Sequence, residues 1–504
     1  MSSARFNVDH QFAVAPVDKR LFGSFVEHLG RCVYSGIYEP GHPAADRYGF
    51  RRDVLELVRE LGVTLVRYPG GNFVSAYNWE DGVGPQAERP TRLDLAWRTV
   101  ETNEFGTDEF ISWARQAGVE PMFAVNLGTR GVDAAREFLE YCNHPGGTKL
   151  SDARIANGHA DPHAIKLWCL GNEMDGFWQV GHKPAEEYGR LAAEAGKAMK
   201  LLDPTVELVA CGSSNRLMPS FGRWEATVLE QCYSVVDYIS LHTYYQPDHS
   251  DLDSFLASAA DMDAFIESVV ATCDHVRAVV RSDRRINLSF DEWNVWTIPD
   301  AGDYLSRPFQ HRPALIEDVY TLADAVVVGS MLITLLRHAD RVRIACLAQL
   351  VNAIAPIMTE PGGPAWRQTI FYPFALTAAH ACAGVVLRTE PEGPELDTLK
   401  HGRVPALQST AVWHEDRGEL VIFAVNRDRS QALALEASVN GFGGFSVTGA
   451  VTLADGELTA ANTREHPDRV HPQPLDGAAL EGGNLQVTLP PASWSMIRLT
   501  QQPG

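Results

Sequence analysis

The sequence predicts a TIM (β/α)8 barrel plus a C-terminal β-sandwich domain that includes an N-terminal strand, and three observations lead there. From residue 21 onward, apolar runs of about five to eight residues alternate with longer segments of helical periodicity, as in parallel βα units. Eight such runs can be counted, enough to close a barrel. Beyond about Trp366 the alternation gives way to short strand-like stretches separated by Gly, Asp, Asn or Pro, the pattern of a sandwich. The expected division is 1–18 as N-terminal strands pairing with the sandwich, 19–365 as the barrel and 366–504 as the sandwich.

At the amino terminus, Phe6-Asn7-Val8 and Phe12-Ala13-Val14 alternate with polar residues until Pro16 and Asp18 break the pattern. The eight candidate barrel strands are 21–26, 64–68, 121–126, 165–170, 207–210, 238–241, 286–290 and 343–349. Candidate helices between them include 53–61, 107–117, 185–202 and 315–336, each carrying apolar residues at helical spacing. The most apolar stretch, 325–336, is interrupted by Gly329, Ser330 and Thr334 and falls short of the roughly 20 apolar residues a bilayer requires, so it reads as a buried helix. The sandwich strands are expected at 411–414, 419–426, 433–437, 445–453, 485–489 and 494–499, with the polar stretch 465–482 as a surface loop.

Composition narrows the function. With 45% hydrophobic and 21% charged residues the chain has the balance of a soluble globular protein. Its 43 Lys plus Arg against 64 Asp plus Glu give a net charge of -21, which repels phosphate backbones and anionic membranes and argues against a nucleic-acid partner or membrane binding. Eight scattered cysteines without a Cys-x-x-Cys read as buried thiols. The amino terminus lacks the basic start and apolar centre of a signal peptide, so a reducing cytoplasm is the expected compartment.

In a barrel of this kind the chemistry lies where the strands end at their carboxyl side. The fourth run stops at Gly171-Asn172-Glu173 and the seventh at Asp291-Glu292-Trp293-Asn294, each placing a glutamate at the rim. Two carboxyl groups facing one another across a cleft suit glycosidic bond cleavage, in which one donates a proton and the other attacks or activates water. The remaining ends supply Glu27-His28, Pro69-Gly70-Gly71-Asn72, Asn126-Leu127-Gly128, His242-Thr243-Tyr244-Tyr245, and Gln349 with Asn352. Sugars require such a rim, because each hydroxyl seeks a donor or acceptor and each ring face an aromatic wall. Of the tryptophans, Trp296 is the candidate for that wall, with Trp79 and Trp293 as packing residues. Metal chemistry is disfavoured by the lack of His-x-His, His-Glu-x-x-His and paired Cys, and a serine nucleophile by the lack of Gly-x-Ser-x-Gly.

The motifs Phe25-Val26-Glu27-His28-Leu29-Gly30, 34–43, 67–74, 77–85, 125–131, 140–148, 171–179, 242–245, 291–296 and 349–359 together resemble family 51 of the glycoside hydrolases, the intracellular α-L-arabinofuranosidases, over nearly the whole chain. The resemblance implies a retaining enzyme without a cofactor, with Glu173 as acid/base and Glu292 as nucleophile. It also implies that Glu27, Asn72, Asn172, Tyr244 and Gln349 hold the arabinofuranose hydroxyls, that Arg67 and His242 support the carboxylates, and that the protein is a homo-oligomer, often a hexamer in the family. The substrate would be an arabinose-containing oligosaccharide from arabinan or arabinoxylan. Two positions depart from the family pattern, Ala76 in place of Gly and Phe177 in place of Pro, and the second bears on the leaving-group side. The competing readings are a β-glycanase or β-xylosidase on the same barrel and a sugar-binding protein without turnover.

Overall fold

The computed structural model describes residues 2–297 and 307–502. Eight parallel strands close a barrel: Gly23–Phe25, Leu65–Tyr68, Glu120–Ala124, Leu167–Leu170, Glu207–Ala210, Tyr238–Tyr245, Asn287–Val295 and Val342–Leu347. Each expected run supplies one strand, but three bounds differ for physical reasons. The first strand is short, because Asp18 accepts from the Arg20 N–H at 3.1 Å and opens a 3-10 turn over Lys19–Phe22. The sixth and seventh are long, pairing His242 with Glu292, Thr243 with Trp293 and Tyr244 with Asn294. A sequence reading stops both at their first polar side chain. In the folded barrel those polar residues carry the ladder on, so Glu292 lies within its strand rather than past its end.

Helices Arg52–Leu61, Thr107–Ala117 and Ala185–Leu202 stand where periodicity places them. The apolar helix spans Leu322–Arg337 rather than starting at 315. Thr321 caps it, its N–H and that of Asp324 each meeting the other's side chain, and the preceding Tyr320 turns inward to donate to the Val295 carbonyl at 2.7 Å. A helix at Phe371–Ala381 was not foreseen, because Pro373 and three nearby aromatics mask it; proline is tolerated in a first turn. It packs on Arg52–Leu61 and Leu322–Arg337 and so extends the barrel's outer ring beyond Trp366.

The sandwich has a four-stranded and a seven-stranded sheet. The amino-terminal segment reaches both: Ser2–Asp9 runs parallel beside Leu433–Asn440, and Ala13–Pro16 pairs with Val385–Leu387. Strand Glu419–Asn426 is buried at every position because it has two partners. Leu420, Ile422 and Ala424 join Phe6, Val8 and Leu435 between the sheets, while Val421, Phe423 and Val425 join the barrel core. That outer face meets Leu322–Arg337. Here Gly329 is required, since a Cβ would lie 2.2 Å from Cδ1 of Trp494. Gln408 Nε2 donates to the Ser330 carbonyl at 3.1 Å and to Thr334 Oγ1 at 2.8 Å. The residues that interrupt the apolar stretch are therefore its contacts with the sandwich.

The stretch 465–482 is less of a free loop than its polarity implies: it carries the short strands Gln473–Pro474 and Ala479–Glu481 and buries Val470 and Leu475. All eight cysteines are free thiols, seven of them buried. Among the described residues no helix is long and apolar enough to cross a membrane.

Candidate active site

Arg67, on the second barrel strand, organises the barrel mouth. Its side chain is fully buried, a position that demands charged or hydrogen-bonded partners. One terminal nitrogen donates to Glu292 Oε1 at 2.7 Å and the other to Asn172 Oδ1 at 2.6 Å, with Asp291 3.8 Å from Nε. The guanidinium lies over the Phe25 ring, 4.9 Å from its centroid. Burial opposes its charge, but Asp291 and Glu292 overcome this and hold the guanidinium well above its ordinary pKa.

Glu292 is gripped on both oxygens, Oε1 by Arg67 and Oε2 by the Tyr244 hydroxyl at 2.8 Å. Tyr244 in turn meets the Trp296 ring edge to face, 5.2 Å between centroids. Glu173 sits where the fourth strand turns away through Gly171 at φ 95°, and its own φ of 44° is left-handed, a conformation costing a non-glycine residue roughly 1–2 kcal/mol. Its Oε1 lies 2.9 Å from His242 Nδ1, and its Oε2 accepts from Trp178 Nε1 at 2.6 Å. An oxygen of Glu173, an oxygen of Glu292 and a ring nitrogen of His242 all fall within 4.8 Å of one another.

His242 bridges the pair. Its Nε2 is 3.0 Å from Asp291 Oδ1 and its Nδ1 is 3.7 Å from Glu292 Oε2, in addition to the Glu173 contact. Burial pushes its pKa down, but Glu292, Asp291 and Glu173 together raise it to about 10, so the ring is an imidazolium at neutral pH. Both ring nitrogens then donate, and the tautomer question disappears.

Glu27, at the end of the first strand, is held by three donors: the Phe73 N–H and Trp97 Nε1, each at 2.9 Å on Oε1, and Gln349 Nε2 at 3.0 Å on Oε2. Burial nevertheless pushes its pKa up to about 8. Asn72 stands half-buried at the start of the turn Asn72–Ala76 that passes over Glu27. Gly71 permits that passage, since a Cβ there would come within 2.7 Å of both Glu27 carboxylate oxygens. Among the described residues, Asn172 Nδ2, Gln349 Oε1 and Trp296 Nε1 are buried without a hydrogen-bond partner, although buried polar groups are nearly always paired. They are hydrogen-bonding capacity that a polyhydroxylated ligand would use.

The structure thus brings Arg67, Asn172, Glu173, His242, Tyr244, Glu292 and Trp296 into linked contacts and pairs Glu27 with Gln349, with Asn72 on the covering turn. Other polar strand ends serve the scaffold. Asn126 Oδ1 accepts from the N–H groups of Gly128 and Thr129 and so closes its own turn. His28 is enclosed between Glu101, at 2.8 Å, and the Tyr68 hydroxyl, at 2.7 Å. Trp79 stacks on Phe138 and Trp293 is fully buried, both packing residues as expected. Sequence reasoning missed the role of Trp178, whose five-residue offset from Glu173 was the available signal, and of Trp97, which reaches Glu27 from the hairpin Arg92–Asp94 and Thr99–Glu101 and left no signal at all.

With this geometry in hand, comparison with known proteins is informative. Residues 57–264 match the model of the alpha-L-arabinofuranosidase 1 domain and 291–493 that of the alpha-L-arabinofuranosidase C-terminal domain. The chain is 58% identical to the intracellular exo-alpha-(1->5)-L-arabinofuranosidase of Streptomyces lividans, covering 99% of this chain and 75% of the relative. It is 56% identical to the protein of that name from Halalkalibacterium halodurans, covering 99% of each. The solved structure of a family 51 alpha-L-arabinofuranosidase from Bifidobacterium longum superposes with a TM-score of 0.94 at 49% identity, over 99% of both chains. Full-length identity at this level, on the same barrel and sandwich, places the chain in glycoside hydrolase family 51: it belongs to the α-L-arabinofuranosidases, a family of glycosidases.

Proposed function

We propose that the chain removes terminal non-reducing α-L-arabinofuranosyl residues from arabinose-containing oligosaccharides by double displacement, with retention of anomeric configuration. The observation that carries this reading is the approach of Glu173 and Glu292 oxygens to within 4.8 Å. Retaining glycosidases hold their carboxyl groups about 5–5.5 Å apart, whereas inversion needs roughly 6.5–9.5 Å to admit a water between them.

Glu292, held by Arg67 and oriented by Tyr244, attacks the anomeric carbon. Glu173 protonates the departing oxygen, so the glycosidic bond breaks as the glycosyl–Glu292 ester forms. Glu173, now a base, takes a proton from the incoming water, which displaces Glu292 and releases arabinose. His242, 2.9 Å from Glu173 Oε1, positions the carboxyl group for both proton transfers. Glu27, Asn72, Asn172, Tyr244 and Gln349 bind the furanose hydroxyls, Trp296 forms a wall, and no cofactor takes part.

The relatives named intracellular exo-alpha-(1->5)-L-arabinofuranosidases support a cytoplasmic enzyme, and the substrates we assign to it are short oligosaccharides derived from arabinan or arabinoxylan. We place it there as a homo-oligomer, a state that light scattering measures directly. The decisive test is the anomer released first from an aryl α-L-arabinofuranoside, followed by proton NMR before mutarotation. Retention gives the α-anomer; initial release of the β-anomer overturns the mechanism, and turnover of only aryl β-D-xyloside or β-D-glucoside overturns the substrate.

A further inference from the structure

We propose that Phe177, backed by Trp178 on the loop at 174–179, is the surface that receives the leaving-group sugar. The inference rests on the proposed function and names the part of the substrate that this function leaves open.

Tight backbone bonds build the loop: the Gly176 N–H donates to the Glu173 carbonyl, the Gln179 N–H to the Gly176 carbonyl and the Lys183 N–H to the Met174 carbonyl, each at 2.9 Å. Its base is pinned to the next strand's loop, because Asp175 accepts the Ser214 N–H at 3.1 Å. Trp178 lies against the Gly176 backbone, where a Cβ would be 2.6 Å from Cε2 of the indole. That packing fixes the ring so that Nε1 meets Glu173 Oε2 at 2.6 Å. Phe177 stands beside it, ring edge to ring face, 5.0 Å between centroids. Its side chain is 80% exposed and Trp178 is 39% exposed.

An exposed phenylalanine on its own needs no explanation. This one is continuous with the acid/base through a single residue, and the sides of the site are already assigned. Glu27, Gln349 and the Asn72 turn enclose the sugar-binding end, and Tyr244 with Trp296 flanks Glu292. Whatever is bonded to the oxygen that Glu173 protonates must leave past Glu173, where Trp178 is in hydrogen-bond contact and the Phe177 ring follows 5.0 Å from the indole. The occupant fitted to an aromatic face there is a sugar ring laid on its C–H face, the second residue of an arabino-oligosaccharide. Because Phe177 is open to solvent on its other sides, the ledge stacks that ring without fixing its hydroxyls, so it contributes binding with little demand on linkage.

The test compares the wild type with Phe177→Ala and Phe177→Trp on two substrates, α-1,5-linked arabinobiose and α-L-arabinofuranosyl fluoride, whose leaving group has no ring to stack. In Phe177→Ala the ratio of kcat/KM for arabinobiose to that for the fluoride is expected to fall about tenfold, mainly through KM, the scale of one lost stacking contact. Phe177→Trp should restore it. An unchanged ratio overturns the site, and so does an equal loss on both substrates, which marks a structural role. A change of mass by light scattering in Phe177→Ala with the ratio intact would instead assign the ring to an interface between copies. Silence of the wild type on both substrates brings down the proposed function and the site with it, an outcome distinct from the others.

Discussion

Glu292 and Glu173 face each other across the same few ångströms, yet they are held in opposite ways. Glu292 lies inside a barrel strand and takes its donors, Arg67 and Tyr244, from two other strands. Glu173 lies past its strand's end in a left-handed turn, and one of its two partners, Trp178, is borne by a partly exposed loop. The difference follows from the work each group is proposed to do. A nucleophile must stay ionised and aimed, which rigid cationic and phenolic donors enforce. An acid/base must gain and lose a proton while leaving groups of varied shape pass, and a loop accommodates both.

Removing the rigid partner should cost most. Glu292→Ala is expected to lose about 10^4-fold or more in kcat on every arabinofuranoside, since nothing replaces the covalent intermediate. Added azide should restore turnover and give the β-linked glycosyl azide, the product of one displacement instead of two. Residual activity within tenfold of wild type would remove Glu292 from the nucleophile's role. Glu173→Ala should split by leaving group: a loss on the order of 10^2–10^4-fold on oligosaccharides, with a far smaller one on activated aryl substrates that need no proton. There azide should give the α-linked product. Equal losses on both substrate classes would contradict the comparison.

Much of the strand-borne half was legible in the sequence and less of the loop-borne half. Apolar runs that stop at a carboxylate located both glutamates, because a strand buried on both faces reads as an unbroken apolar stretch and its end is abrupt. The same logic misjudged where the sixth and seventh strands end, since it treats a polar residue as a terminator and the inner wall of this site is polar. It also set Asn126 among the polar strand ends of the rim, but a strand-end amide spends its hydrogen bonds on its own turn equally well. Trp97 and the helix Phe371–Ala381 were invisible for a different reason. Trp97 acts across 70 residues of chain from a hairpin, and tertiary contacts of that range leave no periodicity behind.

The loop side can be weakened by one bond. Trp178→Phe keeps the ring over Gly176 and deletes only the donor to Glu173, so about tenfold should be lost on oligosaccharides, the worth of one hydrogen bond of about 1–1.5 kcal/mol. The alkaline limb of the pH profile, the one a general acid sets, should move while KM for the glycosyl fluoride stays put. A loss of 10^3-fold would mean that Trp178 does more than orient the carboxyl group.

His242 belongs to both halves, and its charge can be read through stability. Its pKa is raised from 6.5 in a free imidazole to about 10 in the fold. A group whose folded pKa is raised contributes stability that is fully present below its unfolded value and is lost as pH climbs through the folded one. In urea unfolding of wild type and His242→Gln, the gap in midpoint should therefore be widest near pH 6.5, narrow progressively above it and be nearly closed beyond pH 10. Asp291, Glu292 and Glu173 supply the raising charges, so high salt should change the gap little, the cluster being buried and poorly screened. A gap constant from pH 6.5 to 10.5 would show a neutral His242 held by shape alone.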